Sequence, residues 1–426
     1  MKMIPRPYQE IGINFLAERH MASLWDEPGL GKSFQTLMAA KQIGAKQILI
    51  ICPASVRLVW AEECRKVGLL CHLVLKNCEF GYGINIVSYN GAAGALFDTI
   101  MCFNWELMVI DEEHFVKSAK AKRTKLIFGN KMDGKTGIAS RCKRIWGLTG
   151  TPMPNNPSEL YPMIRAKFPD AIMGNNDRPM PYWSFVNRYC KTRDNGFGIE
   201  ITGGKNLTKL RDELRGRVMR RKKTDVAKDL PDIQYELLPV EGDMRNLPKE
   251  ELELVQNCLG AAEPFKALKK QGTHIAQIRR ITGMAKVKAT IKWIEEANHD
   301  KIVIFAHHKD VISELKNMHD TVYIDGSCSQ HHREQAVLRF QEGNAKRFVG
   351  NIQAAGTGLT LTAASTVIFV EYSWVPADNR QAADRIHRIG QNNNCMVYFA
   401  TVPRSVDEDI MKVVKRKLET YQEMGL

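Results

Sequence analysis

Nine residues constrain this chain more than any others: Trp25-Asp26-Glu27-Pro28-Gly29-Leu30-Gly31-Lys32-Ser33. They close on Gly-Lys-Ser and fit the phosphate-loop pattern G-x-x-x-x-G-K-[ST], with Asp26 where the first Gly usually stands. Such a loop works through its main chain. Successive N–H groups cradle phosphates, the Lys reaches the β and γ oxygens, and the Ser hydroxyl ligates Mg²⁺. Phe34 to Ala40 reads as the helix that follows, its N-terminus aimed at the same phosphates. The stretch therefore asks for a nucleoside triphosphate and a strand–loop–helix setting. A Gly-rich turn ahead of a helix is the plain alternative, and the remainder of the chain has to decide.

With 426 residues there is room for two or three domains. Lys plus Arg number 61 against 47 Asp plus Glu, a net charge of +14 that suits a polyanionic partner. The ten cysteines form no C-x-x-C pair and read as thiols in a reducing compartment, so no metal framework is expected. No apolar run approaches the roughly 20 residues of a spanning helix, and the N-terminus lacks the apolar core of a signal peptide. These features point to an intracellular protein, cytoplasmic or nucleoid-associated, with no membrane partner.

Arg6-Pro7-Tyr8-Gln9 opens an apolar-periodic helix, and the Gln9 amide offers the donor and acceptor that an adenine edge needs. Lys46 to Pro53 is a continuous apolar run, the mark of a buried parallel strand. Strand signals recur at 84–88 and 107–110, and this alternation with helices argues α/β layers. The run Leu107 to Ile110 leads directly into Asp111-Glu112-Glu113-His114. That places Asp111 and Glu112 at the carboxyl end of a buried strand, where open α/β sheets bind ligands. An Asp there can hold Mg²⁺ and a Glu can orient and deprotonate a water. Thr149-Gly150-Thr151-Pro152 follows another strand, and its hydroxyls can reach those carboxylates or His114. Residues 168–206, rich in Asn, Gly, Pro and aromatics, read as an insertion closed by the basic run Arg217 to Lys223. A helical linker is expected over 242–283. A second α/β unit follows, with strands near 301–305, 322–325, 348–351, 367–370 and 396–401 and no phosphate loop. Its polar signals are Asp325-Gly326-Ser327 with Arg333, Gly356-Thr357-Gly358-Leu359-Thr360, and Gln381 to Gln391. Arg385 and Arg388, three apart, would share a helix face.

In this order these stretches resemble the helicase-like ATPases of superfamily two, and in particular the Swi/Snf family. The strings that carry the likeness are Arg6 to Gln9, Asp26 to Ser33, Cys52 to Ser55, the Asp-Glu-Glu-His box, Leu148 to Pro152, Met219 to Val226 with Leu230-Pro231, and His387-Arg388-Ile389-Gly390-Gln391. Within that family the chain looks most like the annealing and fork-remodelling branch. The resemblance implies two RecA-like parallel-sheet lobes, residues 1–230 and 231–426, with a helical insertion. It implies ATP and Mg²⁺ as cofactors, held by Arg6, Gln9, Glu27, Gly29, Leu30, Gly31, Lys32, Ser33, Gly358 and Gln381, with Ser33 and Asp111 on the metal. Lys32, Asp111, Glu112 and the arginine fingers Arg385 and Arg388 are the catalytic set. His114, Thr149 and Thr151 would couple hydrolysis to motion, and Ser55, Ser88, Tyr89, Ser327, Arg333, Gly356 and Thr357 would touch nucleic acid. Glu113, Pro28, Val375 and Asn379 depart from the family's usual residues without removing a catalytic group.

The expected activity is that of a DNA-dependent ATPase, a monomeric motor tracking along double-stranded or branched DNA and directed by a protein partner, by the insertion or by the DNA itself. A strand-separating DNA or RNA helicase, and a nucleotide-switched nucleic-acid-binding scaffold, are the alternatives. Glu112 and the two arginines speak against the scaffold.

Overall fold

The computed structural model describes residues 4–75, 80–129, 136–174, 177–194, 196, 198–243, 274–297, 299–355, 359–403, 405–408, 410–412 and 414–415. Two α/β units divide between Ala227 and Lys228. Gly356, Thr357, Gly358 and residues 244–273 of the linker expected over 242–283 lie outside the described residues, and its last ten positions begin the helix His274–Ala297.

In the first unit the strands are β1 (Met21–Leu24), β2 (Gln47–Cys52), β3 (Cys71–Leu73), β4 (Gly83–Ser88), β5 (Trp105–Asp111) and β6 (Cys142–Leu148). An antiparallel hairpin, β7 (Cys190–Asp194) and β8 (Ile199–Gly204), and the short β9 (Val218–Met219) follow. Among the described residues the main sheet has seven strands in the order β3-β4-β2-β5-β6-β1-β9, all parallel. The apolar run of β2 shows why. Ile48, Ile50 and Cys52 pack into one core and Leu49 and Ile51 into another, so both faces of the sheet are covered. Order and register then place the site. β6 lies between β1 and β5, and Leu148 pairs with both Leu24 and Asp111. The phosphate loop after β1, Thr149 after β6 and the acidic box at the end of β5 therefore start from one row of the sheet.

The insertion is helical only in part. It carries the helix Tyr182–Tyr189 and then the β7–β8 hairpin, and it packs a core of its own around Phe185, Tyr189, Leu207 and Leu210 that also takes in Trp25.

The second unit holds β10 (Ile233–Pro239), β11 (Ile302–Ala306), β12 (Thr321–Ile324), β13 (Arg347–Asn351), β14 (Thr366–Phe369) and β15 (Cys395–Thr401). They form a parallel sheet in the order β10-β15-β14-β11-β13-β12. Again β11 is buried on two faces, Val303 and Phe305 in one core and Ile302, Ile304 and Ala306 in the other. The helix Pro376–Ala383 ends before both arginines of the Gln381 to Gln391 string. The expectation that Arg385 and Arg388 share a helix face is corrected here. Tight i→i+3 bonds from Arg385 N to Ala382 O and from Ile386 N to Ala383 O replace the helical pattern, and the chain turns through Gly390.

Candidate active site

The phosphate loop bends where its glycines allow. Gly29 and Gly31 sit at φ 91° and 75°, and a Cβ on Gly31 would lie 2.6 Å from the Gln9 side-chain nitrogen. Only glycine meets both demands. The helix Lys32–Gln42 starts directly after it, with Lys32 and Ser33 in its first turn. Lys32 Nζ donates to the carbonyl of Asp26 at 2.7 Å, folded back over its own loop. From the N-terminal helix Pro7–Ala17, the Gln9 amide donates to Leu30 O at 3.3 Å, while its oxygen accepts from Arg6 N at 3.0 Å. Gln9 thus lies against the loop, with Arg6 bonded to it at the start of the helix.

Asp26, in the place of the pattern's first glycine, is fully buried and tied down from a distance. Arg221 pairs with it through both carboxylate oxygens, its Nε at 2.9 Å from Oδ1, and its other contacts are Gln35 Oε1 at 2.7 Å and the carbonyl of Tyr8. Arg220 donates to Trp25 O at 3.1 Å, and Lys223 N donates to Glu27 Oε2 at 2.9 Å. With β9 paired to β1, the segment 218–223 is a brace for the loop. The sequence marks that run as the close of the insertion and as a stretch resembling the family, and gives no sign that it braces the loop.

Asp111 is half-buried overall, with its carboxylate facing inward. Oδ2 accepts from Trp60 Nε1 at 2.8 Å and Oδ1 from Glu112 N at 3.1 Å. Burial, then the neighbouring Glu112 charge, push its carboxyl up to about 7, against the pull of Trp60 and the Lys32 ammonium. Glu112 has left-handed backbone, φ 52° and ψ 56°, uncommon for a residue with a side chain. Its carboxylate accepts from Thr149 Oγ1 at 3.2 Å and lies 3.3 Å from His114 Nδ1. His114 Nδ1 is 2.9 Å from Thr149 Oγ1 and 3.4 Å from Thr151 Oγ1. Glu112, His114, Thr149 and Thr151 form one connected cluster, reached from β5 and β6.

Ser55 follows β2 and Ser88 ends the neighbouring β4, where it pairs with Cys52. Ser88 Oγ accepts from Gly91 N at 3.1 Å as a helix cap. Tyr89 is 3% exposed. Its hydroxyl donates to the carbonyl of Asp111 at 2.7 Å and its ring stacks on Phe115 at 5.3 Å, so it supports the acidic box from below. Burial raises its phenol well above the ordinary range.

In the second unit Arg385 is 3% exposed, with Nε donating to Gln381 O at 3.1 Å, and the half-buried Arg388 donates from Nε to Asp384 O at 3.1 Å. Gln391 fastens the turn with bonds from its amide to Thr362, Ala364 and Ile386 carbonyls. Ser327 is exposed and donates to Asp325 Oδ1 at 2.6 Å, which holds that carboxyl below its usual range. Arg333 closes the same loop by donating to the carbonyls of Asp325 and Cys328.

The donor set suits a magnesium nucleotide. A glycine-bent loop offers N–H groups and a lysine, and a carboxylate whose proton is favoured by burial beside a second carboxylate is one that a divalent cation would relieve. Among the described residues there is no cluster of three or more His, Cys, Asp or Glu placed to hold a metal by itself, and no helix is long and apolar enough to cross a membrane.

A glycine-bent phosphate loop, an acidic pair one strand away and a threonine on the strand between them define a P-loop nucleotide-binding unit, set on a RecA-like parallel sheet and followed by a second such sheet. Residues 8–271 match the SNF2-related domain and residues 285–390 the helicase conserved C-terminal domain. The chain belongs to the SNF2-related family of superfamily two helicase-like ATPases. It is 30% identical, over 99% of its length and 62% of the relative's, to a SWI/SNF-related matrix-associated actin-dependent regulator of chromatin subfamily A-like protein 1 homolog of Caenorhabditis elegans. It is 29% identical, over 97% of its length and 40% of the relative's, to the human DNA annealing helicase and endonuclease ZRANB3. The chain spans about half the length of the curated relatives it matches. A solved Sulfolobus solfataricus SWI2/SNF2 ATPase core in complex with dsDNA is similar at 23% identity, with 100% of this chain and 93% of that one covered and a TM-score of 0.47.

Proposed function

We propose that this protein is a DNA-dependent ATPase that moves along double-stranded DNA and remodels DNA or protein–DNA structures. The observation that carries the reading is the Glu112 carboxylate, held by Thr149 and beside His114 at the end of β5, with β6 between it and the strand that leads into the phosphate loop. The family membership and the net charge of +14 support it. Relatives named as a chromatin regulator and an annealing helicase support DNA as the polymer.

In this reading the loop N–H groups and Lys32 bind the triphosphate of ATP, Gln9 reads the adenine edge, and Glu27, Gly29 and Leu30 shape the cradle. Mg²⁺, held by Ser33 and Asp111 when bound, supplies charge neutralisation at the phosphates. Glu112 takes the proton of the attacking water. Its left-handed backbone and the bond from Thr149 hold the carboxylate beside His114. Thr149, Thr151 and His114 register the state of the γ-phosphate, since each is one hydrogen bond from Glu112 or from the next member. Arg385 and Arg388, with Gln381 beside them, are the arginine fingers of the second unit. Ser55, Ser88, Ser327 and Arg333 contact the DNA backbone, with Tyr89 acting indirectly through the acidic box. The protein works inside the cell as a monomeric motor, on duplex or branched DNA, steered by a protein partner or by DNA structure.

A motor that grips phosphates binds duplex with little sequence preference and loses affinity steeply with salt. Its hydrolysis should rise with double-stranded or branched DNA more than with RNA. It should displace the third strand of a triplex in an ATP-dependent way that Lys32→Ala abolishes, while leaving a simple forked duplex intact. Efficient unwinding of the plain duplex, or stimulation by RNA alone, would replace this reading with that of a strand-separating helicase.

A further inference from the structure

Glu113 follows the proposed base directly, and its side chain takes no part in the Glu112, His114 and Thr149 cluster. It is 4% exposed. Its two carboxylate oxygens are held separately: Trp25 Nε1 donates to one at 2.7 Å and Lys167 Nζ to the other at 2.6 Å. Lys167 ends the helix Tyr161–Lys167, is itself fully buried, and also donates to Ser23 Oγ and to Ala22 O on β1. One carboxylate and one ammonium thus join β1, the root of the phosphate loop, the acidic box and a helix 54 residues down the chain. β6 makes room for them with Gly147, where a Cβ would fall 1.8 Å from Glu113 Oε2 and 2.5 Å from Lys167 Nζ.

A buried ion pair is weak evidence for stability, because apolar residues of similar volume commonly serve as well or better. What it supplies is position. A non-glycine residue in left-handed backbone persists only where its surroundings over-determine it, and Glu112 is such a residue. With both oxygens of Glu113 fastened, a rotation of the peptide joining it to Glu112 has to be taken up by the buried Glu113 side chain or passed to Trp25 and Lys167.

We propose that the Glu113–Lys167 pair, clamped to Trp25, is a positioning device that holds the Glu112 carboxylate in register with the phosphate loop. The inference rests on Glu112 being the base of ATP hydrolysis. It predicts a selective defect. The loop root is held independently, by Trp25 N on Met219 O and by Arg220 on Trp25 O, so nucleotide binding should survive loss of the pair. Alignment of the base should not.

Two variants of the full chain separate position from stability. Glu113→Gln with Lys167→Met removes both charges at nearly constant volume, and Glu113→Asp keeps the charge but shortens its reach. In each, DNA-stimulated hydrolysis should lose about 10-fold to 10²-fold in kcat, the scale of a reacting group displaced by about 1 Å. The KM for ATP and the melting temperature of the double variant should stay near those of the wild type. Wild-type kcat in either variant, once it is shown folded by its melting transition, would overturn the proposal, as would a loss confined to KM. If the double variant does not fold, Glu113→Asp decides alone, and Gly147→Ala, which pushes on both members of the pair while leaving both charges in place, replaces it if needed. Absence of hydrolysis in the wild type would instead defeat the ATPase reading itself.

Discussion

Asp111→Asn should make the nucleotide-free, metal-free protein more stable at pH 8 and not at pH 5. The Asp111 carboxyl titrates at about 7 in the folded chain against an ordinary 3.8, because burial and the Glu112 charge both favour its proton. A carboxyl whose folded pKa lies above its unfolded one costs the fold progressively more as pH rises from the unfolded value to the folded one, and the penalty is complete above the folded value. About 3 pKa units at 1.36 kcal/mol each set a ceiling of about 4 kcal/mol on that penalty above pH 7. Asparagine escapes it but has one acceptor oxygen where aspartate has two. Either the Trp60 indole N–H or the Glu112 N–H loses its partner, a cost of about 1–3 kcal/mol. The net gain is about 2 kcal/mol at pH 8. For a unit of roughly 200 residues this is a rise of about 4–8 °C in the melting temperature. Scanning calorimetry in EDTA at pH 8 and pH 5 measures it directly. At pH 5 the folded Asp111 keeps its proton while the unfolded chain has largely lost it, so about 1.6 kcal/mol of the penalty is already present. The lost hydrogen bond offsets it, and the gain should fall to near zero. Adding Mg²⁺ and a non-hydrolysable ATP analogue at pH 8 should reverse the order, since only the wild type keeps the metal-binding carboxylate. A variant less stable than wild type at pH 8 without metal, or an offset equal at both pH values, would refute the idea that Asp111 is held under electrostatic stress for a cation.

Glu112→Gln should retain nucleotide affinity and lose turnover, because the amide keeps an acceptor for Thr149 but cannot take a proton; binding by equilibrium titration and steady-state hydrolysis measure the two separately, and wild-type turnover would remove Glu112 from the reaction. Replacing Arg385 or Arg388 by Ala should lower turnover by about 10³-fold with ATP affinity nearly intact, the scale of an arginine finger. Arg385 should also lower the melting temperature, since its guanidinium is buried against the Gln381 carbonyl, whereas the more open Arg388 should not; unchanged turnover in both would make them structural.

The sheets were legible in the sequence because parallel strands covered on both faces are continuous apolar runs. Gln47 to Cys52, Trp105 to Asp111 and Ile302 to Ala306 announce themselves that way. What escaped were strands with no such run. β1 is only the four residues Met21–Leu24, too short to show as a continuous apolar run, and β9 is two residues paired to β1. β10, at the sheet edge, leaves Tyr235 and Leu237 exposed, so its pattern is neither continuous nor alternating. The β7–β8 hairpin is almost wholly exposed on β7, Lys191 to Asp194, and carries no apolar signal there. The second unit's arginines failed differently. A three-residue spacing fits a helix face, but spacing does not say where the helix ends, and i→i+3 bonds end it at Ala383.

For the site, residue type and position were enough: Asp111, Glu112, His114, Thr149 and Thr151 lie at or just past the carboxyl ends of two strands in one sheet, and Lys32 closes the loop that follows a third. The residues that hold them were not readable, because their partners are far away in sequence. Asp26 looks like a blemish in a glycine pattern until Arg221, 195 residues later, is found on its carboxylate. Trp60 looks like core filling until its indole N–H is found on Asp111. Register explains both distances. A short pairing of β9 with β1 brings residues 218–223 under the phosphate loop, and the position of β2 beside β5 brings the helix Arg57–Lys66, with Trp60, to the acidic strand. Chemistry in this chain is written at strand ends, where a sequence pattern can mark it, and the geometry that aims it is written in strand order, which a pattern of local residues does not carry.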